Sequence, residues 1–114
     1  MSNLEEKKQC YFVYVIELHP RVMNTGRFTE ANPGYSYSPD RPPLYVGMTG
    51  RTPGIRFEQH RKGYKASRYT KGHVKRLRPD LSVDIIYLAR ADAERMEVQR
   101  ADELRELGYA VWQN

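Results

Sequence analysis

The sequence predicts a single α+β domain with a small, three-stranded, mainly antiparallel sheet flanked by helices, and three observations predict it. Short runs rich in aromatic and β-branched residues stand at 11–18, 44–48 and 82–88, with the composition and length of strands. Two longer stretches, at 53–62 and 93–107, carry helix start and stop signals. The 114 residues suffice for one core, so one site is expected at most.

Residues 1–9 read as an N-terminal tail. Met1 to Lys8 lack the apolar core of a signal peptide, which places the expected location in the cytoplasm. Cys10, the only cysteine, opens an apolar run and reads as a core thiol; alone it makes neither a disulfide nor a zinc site. Tyr11 to Leu18 (YFVYVIEL) is too short for a typical helix and apolar on both faces, as a central strand is. His19 to Pro43 holds five of the seven prolines with Gly26 and Gly34, and reads as a long inserted loop. Leu44 to Met48 is the second strand. Thr52 as N-cap and Pro53 at the first helical position start a helix that runs to about Lys62, where Gly63 stops it. In that helix Ile55 and Phe57 are the expected core contacts. Ser82 to Leu88 (SVDIIYL) is the third strand, Ala93 to Leu107 a second helix closed by Gly108, and Tyr109 to Trp112 a short extended end.

Hydrophobic residues make up 39% of the chain and charged residues 29%, the composition of a soluble globular protein, and the formal net charge is +5. An anionic partner is therefore favoured, nucleic acid before others. The lack of a long apolar span or a strongly amphipathic basic helix argues against a membrane. Residues 61–78 contain eight Lys or Arg and no acid, which concentrates the positive charge. Arg61, Lys62, Lys65, Arg68, Lys71, Lys75 and Arg76, with Tyr64 and Tyr69 between them, resemble a surface that tracks a phosphate backbone and stacks bases. An ordinary solvated basic surface is the alternative.

At 100° per residue, Ala93, Met96, Ala101, Leu104 and Leu107 form one stripe of the last helix, and Glu97 and Arg100 fall inside it. An inward carboxylate is costly unless it is paired or holds a cation, so Glu97 is either half of an internal Glu–Arg pair or a metal ligand. Arg56 and His60, four apart, share a helix face suited to clamping a phosphate and handling a proton. Tyr14 and Tyr45 lie on the first two strands, where amphipathic core tyrosines are common.

Phe12-Val13-Tyr14 followed by Tyr45-Val46-Gly47, then Arg56-Phe-Glu-Gln-His60 and Ala93-Glu-Arg-Met-Glu97, resembles in order the motifs of the GIY-YIG nuclease superfamily. The likeness runs from Tyr11 onward, with Asn114 where many members have an asparagine. Phe12 replaces the first motif's glycine, valines replace isoleucines, and the link between the tyrosine strands is longer than in compact members. The resemblance implies cleavage of DNA, ahead of RNA; the basic segment with its tyrosines suits single-stranded or structured DNA, with branched and duplex forms left open, and one domain with no added recognition module points to low sequence specificity. The resemblance also implies one Mg2+ or Mn2+ on Glu97, Arg56 against the phosphate, His60 in the site, and a tyrosine as base, Tyr14 before Tyr45. Lys71 and His73 are candidates for approaching the cleavage point. Two rival readings are a nucleic-acid-binding module on the same fold that has lost catalysis, and a subunit that docks an acidic protein.

Overall fold

Strand β1 (Phe12–Leu18) occupies the middle of the sheet, as its two-sided burial requires. The computed structural model describes residues 9–63 and 70–113. Strand β2 (Leu44–Thr49) pairs antiparallel with β1, bringing Tyr14 opposite Gly47 and Ile16 opposite Tyr45. On the other side β1 pairs antiparallel with β3 (Val74–Leu77), and β4 (Val111–Gln113) lies parallel to β2. The sheet is thus four-stranded and mixed, in the order β3-β1-β2-β4, not three-stranded and antiparallel.

The expected strand at 82–88 is not one. Only Tyr87 bridges back to Tyr11, and Ile85, Ile86 and Leu88 stand more than half exposed. The segment still runs along β1, where the Val83 amide also donates to the Val13 carbonyl, but the ladder on this edge is made at Ile16–Leu18 by β3, from within the basic segment, and a buried charge accounts for that pairing. Glu17, in β1, is 6% exposed. Its carboxylate is met by Lys75 at 3.4 Å, Arg76 at 3.5 Å and Arg78 at 3.0 Å. A buried carboxylate is tolerated only when paired; SVDIIYL offers no base, whereas β3 brings two and turns Val74 and Leu77 toward the core.

Period-two alternation divides the core. Val13, Val15, Leu44 and Val46 pack against Ala93, Ala101 and Leu104 of the long helix at 90–106. Tyr14, Ile16, Leu18 and Tyr45 face the opposite side with Val22, Phe28 and Ala110. The segment 19–43 is not a structureless loop. It forms a 3-10 turn (Pro20–Asn24), whose first amide donates to the His19 ring, and helix α1 (Gly26–Ala31). Val22 and Phe28 anchor it, and the buried Asn32 amide donates to the carbonyls of Phe28 and Val111, tying it to β4.

Helix α2 (Pro53–Arg61) starts as expected, with the Thr52 hydroxyl accepting from the Ile55 amide, and Gly63 follows at φ +84°. Phe57 packs inward, but Ile55 is exposed. Helix α3 (Arg90–Glu106) begins three residues earlier than expected and ends before Gly108, whose φ of +100° suits a helix stop. Ala93, Glu97, Ala101 and Leu104 form its buried stripe; Leu107 is exposed. Cys10 is only half-buried and precedes β1. Among the described residues no helix is long and apolar enough to cross a membrane.

Candidate active site

Strand pairing puts Tyr14, Gly47 and Tyr45 on one face of the sheet. The two phenol rings lie 6.3 Å apart between centroids, on either side of the glycine. A Cβ at Gly47 would fall 2.6 Å from Tyr14 Oη and 2.9 Å from Tyr45 Cε2, so only glycine lets both rings close over the strand. Gly47→Ala is expected to destabilise the fold by about 1–3 kcal/mol, the usual range for overpacking. Denaturant unfolding checks this, and unchanged stability would show that the rings move aside freely.

Helix α2 lies against this face and brings in His60, fully buried, with Nε2 2.7 Å from Tyr14 Oη. The imidazole also meets the Tyr45 ring edge-on at 5.2 Å. Its Nδ1 lies 3.1 Å from the hydroxyl of buried Thr70, which completes a Tyr14–His60–Thr70 chain. Thr70 carries no sequence signal; it is one hydroxyl in a basic run. Burial disfavours charge on both ring systems. It pushes Tyr14 well above the usual phenol range, with help from the neighbouring Tyr45, while the Arg56 guanidinium pulls the other way. It drops His60 to about 4, with Arg56 adding to the fall.

That depression makes stability depend on pH with a definite sign. Between the ordinary histidine value near ~6.5 and about 4, the unfolded chain binds a proton that folded His60 refuses. Stability therefore falls as pH is lowered through that window. Going from pH 7 to 5, wild type is expected to lose about 2 kcal/mol more than a His60→Asn variant. Equal losses in the two proteins would contradict a neutral, buried His60.

From the other side of the sheet, α3 supplies Glu97, 7% exposed. Gln113 Nε2 donates to its Oε1 at 2.7 Å. Burial raises its pKa and Glu94 adds to the rise, while Gln113, the Met48 backbone and Arg90 oppose it. The charge of Glu97 in turn raises Tyr14, so the carboxylate acts on the phenol although they start on opposite faces. The internal Glu97–Arg pair does not form among the described residues: Arg100 donates to the Leu81 carbonyl and to Glu103. Gln113 carries no signal of this role in the sequence, and Asn114 lies outside the described residues.

A buried carboxylate held on one oxygen by an amide fits a hard divalent cation, and Mg2+ often binds through one carboxylate with waters and a phosphate. No cluster of three or more His, Cys, Asp or Glu converges among the described residues, so Glu97 would be the main protein ligand.

Beside this group opens a polar cleft of about 670 Å3, lined by Arg51, Arg56 and Arg90 together with Thr49, Gly50 and Gln59. Arg56 belongs to both cleft and tyrosine site, and Met48 joins the cleft to Glu97. The sequence offered no reason to single out Arg51 or Arg90.

The basic segment is less uniform than its composition implies. Arg61 pairs with Glu58, Lys75 and Arg76 serve Glu17, Lys62 caps α2, and Lys71 lies against Gly63. His73 accepts a hydrogen bond from Arg21 on its ring, and its backbone amide donates to the carbonyl of Thr70 at 3.0 Å. Tyr64, Lys65, Arg68 and Tyr69 lie outside the described residues. Comparison with protein-family models, curated proteins and solved structures finds no match to the chain.

Proposed function

We propose that the chain is a metal-dependent endonuclease of the GIY-YIG kind that hydrolyses phosphodiester bonds in DNA. One observation carries the reading: Tyr45, Arg56, His60 and Glu97, from β2, α2 and α3, all act on the Tyr14 phenol of β1.

Arg56, at the cleft wall, is set to bind the scissile phosphate and to balance charge that builds on it in the transition state, a task suited to its fixed fork of donors. Tyr14 takes a proton from the attacking water while its own proton passes to His60 Nε2, and the hydroxide adds to phosphorus as the bond to the leaving oxygen breaks. The depressed basicity of His60 lets it give that proton up again, to solvent or to the departing oxygen, and Thr70 fixes its ring. A divalent cation on Glu97, Mg2+ or Mn2+, would supply Lewis acidity toward the phosphate.

A binding module that has lost catalysis would use the arginine-lined cleft equally well. It would have no use for a buried phenol–imidazole–hydroxyl chain, which favours the enzyme. Incubation with labelled single-stranded, flap and duplex oligonucleotides, with Mg2+, with Mn2+ and with a chelator, separates them. Cation-dependent cutting is the expected result, retardation without cutting would leave the binder, and neither would remove both.

A further inference from the structure

A second groove has a character opposite to that of the arginine cleft: it measures about 540 Å3 and is lined mainly by apolar groups that include Phe12, Pro53, Ile85 and Ile86. Ile85 is 54% and Ile86 59% exposed, a large apolar surface to leave in water on so small a protein. Residues of the two linings are neighbours in the sheet and in the chain. Phe12 of the apolar groove pairs across the sheet with Thr49 of the charged one, and Arg51 and Pro53 stand two residues apart at the start of α2.

Resting on the nuclease reading above, we propose that this apolar groove receives an unstacked base of a DNA strand whose phosphates lie on Arg51 and Arg56. The juxtaposition matches the two chemistries of a single strand, anionic along the backbone and apolar on the base faces. Isoleucine side chains serve as wedges between bases in other settings, where they hold a step unstacked. The departure of 82–88 from strand structure gives the surface its form. Val83 and Tyr87 keep backbone bonds to Val13 and Tyr11, and the residues between them rise out of the sheet. The site therefore selects DNA with an unpaired or easily opened base beside the cut over continuous duplex.

The test is equilibrium binding of the whole protein, without added metal, to fluorescent single strands that carry either normal bases or a run of abasic sites. Wild type is expected to bind the base-bearing strand about ten-fold more tightly than the abasic one. Ile85→Ser/Ile86→Ser, on an exposed surface, is expected to lose that preference while keeping wild-type affinity for the abasic strand. Equal wild-type affinity for the two strands, or a double variant that keeps the preference, overturns the base groove and leaves the nuclease reading standing. Failure of wild type to bind either strand overturns both. A wild-type dimer that the double variant converts to monomer in sedimentation assigns the groove to a second copy and overturns the proposal as well.

Discussion

Glu97→Gln is expected to leave DNA bound and uncut. The substitution keeps the shape of the side chain and an oxygen for Gln113 to bond, so the packing of α3 survives. What disappears is the negative charge, the one feature a divalent cation needs from this position. Cleavage should fall by about 10^2–10^3-fold or more, the scale on which a single electrostatic group acts in a transition state. Affinity for a single strand should hold, since Arg51, Arg56 and Arg90 are untouched. Stability should hold or rise, because burial penalises the charged form of Glu97 and the amide escapes that penalty. A structural role predicts the reverse pattern, a lower melting temperature with full cleavage, so the two measurements together distinguish the readings.

Tyr14→Phe should cost about 10^2–10^4-fold in turnover, with little change in KM, because it removes the oxygen that meets His60 and that the proposed mechanism uses to take the water's proton. Tyr45→Phe should cost less, about ten-fold, since the phenylalanine ring keeps the edge-on packing against His60 at 5.2 Å. The difference between them is the informative quantity. Equal losses would deny Tyr14 its separate role, and equal full activity would remove proton transfer through either phenol. The turnover of wild type should also rise with pH through about 4 and then level off, because His60 must be neutral to accept the Tyr14 proton.

The tyrosine strands and the two longer helices were legible because each carries a strong local signal. YFVYVIEL is apolar on both faces, Thr52-Pro53 has both parts of a helix start, and Glu97 breaks the apolar stripe of α3 at a position only burial explains. The third strand lies elsewhere than apolar content suggests because charge decides the pairing. Ile85, Ile86 and Leu88 look like strand residues, yet the decisive feature was Glu17, an acid inside the central strand that required basic neighbours and so drew VKRL to the edge. The same residues that read as a phosphate-tracking surface, Lys75 and Arg76, are partly committed to that carboxylate. Residues 19–43 looked irregular because two buried anchors, Val22 and Phe28, are too few to make a period.

Within the site, the groups with unusual chemistry for their position were readable and those with ordinary chemistry were not. Tyr14, Arg56, His60 and Glu97 form a recognisable order in the chain. Thr70 and Gln113 act by hydrogen bonds across 10 and 16 residues, and nothing in a threonine or glutamine shows where it will point. The arginine cleft depends on strand register bringing 51, 56 and 90 to one opening, which no local pattern records.

Whether one cation at Glu97 lies beside the Tyr14–His60 pair is decided by a Mn2+ titration followed by NMR, with an uncleavable oligonucleotide present. Paramagnetic broadening should reach the Tyr14 and His60 ring signals before those of the exposed Tyr37 and of Tyr109, and should vanish for those two rings in Glu97→Gln. Broadening that spares Tyr14 and His60, or that is unchanged by the substitution, would contradict a shared catalytic centre.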